Sequence, residues 1–425
     1  MSEKWSGNSD RPMRVLWVAQ SCSLQDEENN PGLTGRMESL MTTYCRDRVQ
    51  LAVAYMADGT HESCFSQNGI VYYAVDADLG IVITENEWQT AKAELLRIIN
   101  DFRPDVIQCF GAEWPYGRIA EDTDVPVVIH MMGFLNIYFL SIHMAHGYDD
   151  RNIHWRRYLR KVIMKLIRRS PETINLKESC SESERRVMSS NRYFMGRTEW
   201  DRNIVRYYSH GSQYYNVPEM IKPYIYDSAG QWHYHYKDKI RLFTLSSGDD
   251  RKGNEIILRT AGVLKDIAGV DFEWVVAGSR DFFPRFENRT GIRREDVNIE
   301  LIGMIGVNQI VEELKAADFF IHPSIMDNSP HAVCEAQIIG CPVIASNVGG
   351  VPDLVEDGET GFLYPYNEPH TLAFKIADLC RQEEILSVVS EKETKTALER
   401  HDPGVIAETL IKTYEAIIED TGYDR

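Results

Sequence analysis

The segment His322 to Pro365, HPSIMDNSPHAVCEAQIIGCPVIASNVGGVPDLVEDGETGFLYP, concentrates the residue types that can hold a polar, anionic ligand. A strand is expected to end at Ile321, and the loop Asp327-Asn328-Ser329-Pro330 leads into a helix near Ala332, with Glu335 in its first turn. Exposed N–H groups at a helix start bind anions and hydroxyls, and carboxylates at Asp327 and Glu335 can face one ligand from two sides. Gly349 and Gly350 after the next strand allow close backbone approach. The plainer alternative is an ordinary strand-turn-helix in which Asp327 and Asn328 serve only as turn or capping residues.

These residues need a scaffold, and the chain alternates short apolar runs with helical patterns. Arg14–Ala19, Val49–Tyr55, Gly69–Val75, Asp105–Phe110 and Val125–Ile129 read as buried strands, with a helix from Trp88 to Phe102 stopped before Pro104. The alternation restarts at Ile240. Strands at Arg241–Leu245, Phe272–Ala277, Asn298–Ile302, Asp318–Ile321 and Pro342–Ala345 are separated by helices at Glu255–Ile267, Val307–Ala316 and Ala332–Ile339. Such alternation implies parallel sheets covered on both faces, hence α/β architecture with two Rossmann-like domains. The seam is expected in the polar, aromatic run Asp227–Asp238, giving domains 1–230 and 231–400. Residues 401–425 follow, with an amphipathic helix from Asp402-Pro403 that aligns Ile406, Leu410, Ile411, Tyr414 and Ile417. Two doubly wound domains place their strand carboxyl ends, and any ligand, in the cleft between them.

Composition sets the outer bounds. The 425 residues carry 46 Lys and Arg against 64 Asp and Glu, a net charge of −18, which argues against a surface that coats nucleic acid. Any phosphate must be met locally. The eight cysteines are scattered without a C-x-x-C pair, as expected of reduced thiols in a cytoplasmic protein, and the N-terminal MSEKWSGNSDRP lacks a secretory h-region. Val125 to Tyr148 runs 24 residues without a charged side chain. Its β-branched start, Pro126, Gly133, Asn136 and three histidines read as a buried strand followed by a helix or loop rather than as a membrane span.

Taken together, Asp327 with Glu335, Ala336, Gly340-Cys341-Pro342-Val343 and Gly349-Gly350 resemble the donor-site signature of the retaining glycosyltransferases of the GT-B fold, family 4: Glu-x7-Glu, an Ala, a Gly-x-Pro-Val turn and a Gly-Gly pair. Asp327 departs from the first Glu by one methylene. The resemblance implies two Rossmann-like domains with the active site in their cleft and a C-terminal helix able to cross back. It implies that Glu335 holds the nucleotide ribose. Asp327 then lies against the transferred sugar, and Asn328, Ser329 and His331 border the sugar or its phosphate. Upstream, LSSGDDRKGNEIILRTAGVLK is similar to the family's Gly-Arg-Leu-x3-Lys-Gly, so Lys252 takes the role of diphosphate ligand. Ser246-Ser247 stand where Gly-Arg is expected, and Arg251 could replace the missing cation. Gly278 and Gly303 end strands that border the nucleotide base in the family.

The N-terminal half is similar in layout. Pro31-Gly32-Leu33-Thr34-Gly35 is expected as a loop ahead of a helix, with Gly35 facing the donor phosphates. The family's catalytic-site His precedes a Gly. Here Met132 precedes Gly133, and His130 is the nearest alternative, either as that catalytic group or as a hydrogen-bonded core histidine. Glu113 could orient an acceptor hydroxyl. Gly196-Arg197-Thr198-Glu199-Trp200-Asp201 resembles an element of bacterial polysaccharide members, to which no role is given.

Arg151 to Arg169 holds eight cations and no acid, with Trp155, Leu159, Val162, Ile163 and Leu166 at helical spacing. It is either a solvated or core-packed helix or an interfacial one that lays Trp155, Arg156, Arg157, Arg160, Lys161 and Lys165 on an anionic leaflet at the inner face of the cytoplasmic membrane. The resemblance as a whole implies transfer from a nucleotide diphosphate sugar, UDP-linked, to a glycan or lipid-linked acceptor in polysaccharide biosynthesis, with no cofactor, metal or nucleic acid. A sugar-nucleotide 2-epimerase of the same architecture and a catalytically silent nucleotide-sugar-binding protein are the alternatives.

Overall fold

The computed structural model describes residues 11–23, 32–57, 64–76, 85–146, 172–234, 239–267 and 270–422. The basic stretch with Trp155, Arg156, Arg157, Arg160, Lys161 and Lys165 lies outside them.

The first sheet is built from β1 (Met13–Ala19), β2 (Val49–Ala57), β3 (Cys64–Gln67), β4 (Ile70–Asp76), β5 (Val106–Phe110), β6 (Val127–His130), β7 (Tyr193–Gly196) and β8 (Gln213–Asn216). Its order is β3-β4-β2-β1-β5-β6-β7-β8. All neighbours are parallel except β3 and β4, which form an antiparallel hairpin through Asn68 and Gly69, both at positive φ. Asn-Gly favours the turn whose twist matches that of its flanking strands. β1, β2 and β5 are apolar almost throughout because helices cover both faces; Leu16, Trp17, Val53 and Ile107 are fully buried.

The second sheet contains β9 (Ile240–Ser246), β10 (Phe272–Gly278), β11 (Ile299–Gly303), β12 (Phe319–His322), β13 (Val343–Ser346) and β14 (Phe362–Tyr364), ordered β11-β10-β9-β12-β13-β14 and parallel throughout. Its core already takes in Ile221 and Ile225, which precede the expected seam, and Trp232, whose Nε1 donates to the Ala317 carbonyl at 2.7 Å. The carboxyl ends of β9, β10 and β12 open toward the first sheet, as expected where strand order reverses.

The helix Pro403–Thr421 starts on Asp402, whose carboxylate accepts from the Val405 N–H at 2.8 Å, with Pro403 in the first turn. Its apolar face, Ile406, Leu410, Ile411, Tyr414 and Ile417, is buried in the core of the first half against Trp17, Leu40 and Val53. Trp17 Nε1 donates to the Tyr414 hydroxyl at 3.0 Å, and that hydroxyl donates to Gln108. The chain therefore returns to the half it started from. Among the described residues no helix is long and apolar enough to cross a membrane.

Two expectations need correction. The helix Leu33–Tyr44 begins inside the segment read as a loop, so Gly35 is a buried helical residue in the first turn. The helix after β12 runs His331–Ile339, which puts Glu335 one turn further in than its first turn.

Candidate functional site

A cleft of about 480 Å³ lies between the halves. Ser246, Ser247, Lys252, Gly278, Asp327 and the loop Asn328–Ala332 line it from the second half; Met132 and Arg197 line it from the first, with Lys222 from the connecting segment.

Lys252 is held by local geometry. Asp249 caps the short 3-10 turn Asp250–Lys252, and Gly253 follows at φ 69°, where a Cβ would fall 1.8 Å from the Pro323 carbonyl oxygen. Only glycine fits that junction. Lys252 Nζ donates to Asp327 Oδ2 at 2.6 Å. Asp327 also has His322 Nε2 at 3.2 Å and accepts from its neighbour's N–H, Asn328 N, on Oδ1 at 3.1 Å. Burial would raise the Asp327 carboxyl, yet the Lys252 charge and the His322 contact outweigh it and hold it well below the usual carboxylate range.

The helix His331–Ile339 carries no side-chain cap at Pro330. The N–H groups of His331 and Ala332 meet no acceptor among the described residues and stand at the positive end of the helix dipole. Inside the helix, Glu335 is buried and lies 3.2 Å from Lys222 Nζ. Each carboxylate of the Asp-x7-Glu pair thus holds one lysine.

His331 lines the cleft with both ring nitrogens engaged. Its Nδ1 faces Arg36 Nη2 at 2.8 Å, and its Nε2 faces Glu219 Oε2 at 2.6 Å. A guanidinium only donates, so Nδ1 accepts, Nε2 carries the proton, and the ring is neutral. Burial and then Arg36 depress its pKa in the same sense. Glu219, fully buried, also pairs with Arg197, whose charge holds the carboxyl well below its usual value against the opposing effect of burial.

His130 is fully buried behind the cleft wall. Gln108 Nε2 lies 3.2 Å from its Nδ1, and Glu219 Oε1 lies 3.2 Å from its Nε2. Tyr414, Gln108, His130 and Glu219 thus form one polar string through the core, and the ring does not line the cleft. Arg251 is also turned from the cavity. Its Nε and Nη2 both donate to Asp249 Oδ2, at 3.1 and 2.8 Å, and its guanidinium lies 4.3 Å from the Tyr138 ring centroid. Its guanidinium is therefore engaged by a carboxylate and an aromatic face rather than standing in for the missing cation. Gly303 falls outside the lining, which Met304 and Ile305 complete. Glu113 lies beyond the cavity; burial pushes its carboxyl up to about 8, and its Oε2 has no hydrogen-bond partner among the described residues.

The element Gly196–Asp201 bridges the halves. Thr198 Oγ1 donates to Asn328 Oδ1 at 2.7 Å, and Asn328 Nδ2 donates to Asp201 Oδ1 at 2.8 Å. The glycine pair seats against this bridge: a Cβ on Gly350 would lie 2.4 Å from the Asn328 carbonyl oxygen and 2.6 Å from Thr198 Cγ2. Gly278, at φ 146°, would meet the Ser246 carbonyl oxygen at 1.6 Å. Glu219, Lys222 and Arg36 carried no local motif; only the tertiary fold brings them here. Among the described residues no group of three or more His, Cys, Asp or Glu side chains could hold a metal ion.

Residues 231–396 match the family model described as glycosyl transferases group 1. A putative colanic acid biosynthesis glycosyltransferase, WcaL, of Salmonella typhimurium is 30% identical over 169 residues, 37% of this chain and 41% of that protein. The chain thus aligns with about two fifths of that curated relative. Among solved structures, sucrose-phosphate synthase from Thermosynechococcus elongatus superposes with a TM-score of 0.71 at 12% identity, covering 96% of this chain and 100% of that one. Anabaena HepE in complex with UDP superposes with a TM-score of 0.62 at 16% identity, covering 95% and 100%. The fold is GT-B, two parallel-sheet Rossmann-like domains.

Proposed function

We propose that this chain is a glycosyltransferase that takes a sugar from a nucleotide diphosphate sugar, UDP-linked, and passes it with retention to a glycan or lipid-linked glycan in polysaccharide biosynthesis. The observation that carries this reading is the convergence of Lys252 and the uncapped start of the helix His331–Ile339 on one cleft at the carboxyl ends of a parallel sheet. Colanic acid biosynthesis in the name of one relative and UDP in one structural neighbour support the choice of pathway class and base.

The chemical demand is stabilisation of a departing diphosphate. Lys252 and the N–H groups of His331 and Ala332 meet it with fixed charge and dipole, which gain strength in a site closed to water. Glu335 accepts from the ribose hydroxyls, and Lys222 orients its buried carboxylate. Asp327 guides Lys252 and approaches the sugar. The acceptor proton leaves to the departing phosphate as the new glycosidic bond forms. Closure of the halves over the donor suppresses its hydrolysis.

A turnover screen over UDP and GDP sugars tests this reading. Release of free nucleotide with an α-configured product from an α-donor is expected. Interconversion of two nucleotide sugars without release would mark a 2-epimerase, and binding without any turnover a silent binding protein. The lipid-linked acceptor rests on the basic run Arg151–Arg169, which would lie on an anionic leaflet. Flotation with anionic liposomes should lose the protein when those cations are neutralised, and unchanged recovery would reject membrane contact.

A further inference from the structure

A diphosphate brings more negative charge than one lysine offsets. From the second half the cleft receives Lys252, while Ser246 and Ser247 occupy the position of the expected arginine and Arg251 is bound to Asp249 and stacked on Tyr138. The missing guanidinium stands on the opposite wall. We propose that Arg197, supplied by the N-terminal half, is the second ligand of the donor diphosphate; this rests on the donor reading above.

Arg197 follows the last residue of β7 and lines the same cleft as Lys252, with its side chain 7% exposed. A guanidinium offers five N–H donors in one plane. Nη1 is engaged by Glu219, whereas among the described residues Nη2 has only the Met131 and Met132 carbonyls at 3.4 Å, and Nε meets no acceptor. Glu219 divides its attention, since the same oxygen accepts from His331. The group thus retains donors for a phosphate oxygen, and a planar fork suits that ligand better than a point charge does.

Its placement is tied to contact between the halves. Thr198, the next residue, and Asp201 hold Asn328 of the donor loop, and Asp201 Oδ2 accepts from the Arg197 N–H at 3.0 Å. The bridge that joins the halves therefore also aims Arg197 at the cavity. With the halves apart, Lys252 faces the diphosphate alone; with them joined, the charge is met from both walls. The Gly-Arg-Thr-x-Trp-Asp element acquires a role in this way: arginine for the phosphate, threonine and aspartate for the loop that carries the sugar.

Calorimetric titration of the full chain with UDP and with uridine tests the assignment, using wild type, Arg197→Lys, Arg197→Gln and Lys252→Gln. Arg197→Gln should weaken UDP by about tenfold or more while uridine stays within about twofold, because only the former presents the phosphates. Arg197→Lys, which keeps the charge and loses the fork, should fall between and decides the matter if the glutamine variant does not fold. UDP affinity within twofold of wild type in Arg197→Lys and Arg197→Gln, with Lys252→Gln impaired, overturns the proposal and leaves the donor reading intact. Equal losses for UDP and uridine in the arginine variants also overturn it, since they mark a structural ion pair with Glu219. A wild-type chain that binds neither UDP nor another nucleoside diphosphate overturns the donor reading, and this assignment with it.

Discussion

Lys252 Nζ lies 2.6 Å from Asp327 Oδ2, an ion pair that spans 75 residues of sequence and closes the floor of the cleft. To hold a diphosphate, the ammonium must exchange this carboxylate for phosphate oxygens. Asp327→Asn removes the competing charge, so UDP should bind about 3–10-fold tighter while donor turnover falls by about tenfold or more, because the lysine loses its guide. Calorimetry beside a turnover assay checks both halves. A weaker UDP affinity would contradict the exchange.

Asn328 carries the contact between the halves through both ends of its amide. Asn328→Ala leaves the buried Asp201 Oδ1 without the amide donor and the Thr198 hydroxyl without its acceptor, a cost of about 1–3 kcal/mol. Asn328→Asp, which sets a second carboxylate against Asp201, should cost more. Urea unfolding ranks the variants, and an aspartate variant as stable as wild type would remove the bridge from the description.

Gly350 has no room for a side chain against the Asn328 carbonyl oxygen and Thr198. Gly350→Ala should therefore destabilise by about 1–3 kcal/mol and depress donor turnover, because a backbone carbonyl must shift. Gly262, inside the helix Asn254–Asp266, has only Ile292 Cδ1 at 3.7 Å. Gly262→Ala should be neutral or stabilise by about 0.5–1 kcal/mol. Thermal melts of the two variants give the comparison.

His401 is buried with Nδ1 facing the Glu219 carbonyl at 2.9 Å, and Arg400 Nε donates to its Nε2 at 3.0 Å. A second ring proton would point at a guanidinium. Burial, and then Arg400, bring the pKa down to about 3. Because the folded value lies below the unfolded one, this contribution is present in full above about pH 6.5 and is lost as pH falls toward 3. The loss amounts to about 2 kcal/mol at pH 5. His401→Gln retains a donor and an acceptor without titrating, so its stability should drop about 2 kcal/mol less than wild type between pH 7.5 and 5. Parallel pH profiles would contradict the assignment.

Legibility in the sequence follows how local each feature is. Strands such as β1, β9 and β10 are read from continuous apolar runs because both faces are covered, and the helices from Val307 and Pro403 from their 3.6-residue period. β8, Gln213–Asn216, is a polar edge strand without such a signature, and β7 is only four residues long. β3 is marked in the sequence only by the turn that joins it to β4, Asn68-Gly69. At the site, Lys252-Gly253 and Asp327–His331 are contiguous motifs and fall on the cleft together. Glu219 and Lys222 have no motif, since their role is set by partners more than 20 residues away, Arg197 and Glu335. His130 and Arg251 have suitable chemistry near the expected positions, but adjacent residues on a strand or turn point in different directions, and each is taken by a neighbour in its own half of the chain.

The most direct test of the donor site is calorimetric titration of UDP into wild type, Lys252→Ala and Glu335→Ala, because the two side chains stand for the diphosphate and the ribose. Saturable binding by wild type, weakened about tenfold or more in each variant, is the predicted result. Affinity unchanged in both variants would contradict the placement of a nucleotide sugar in this cleft.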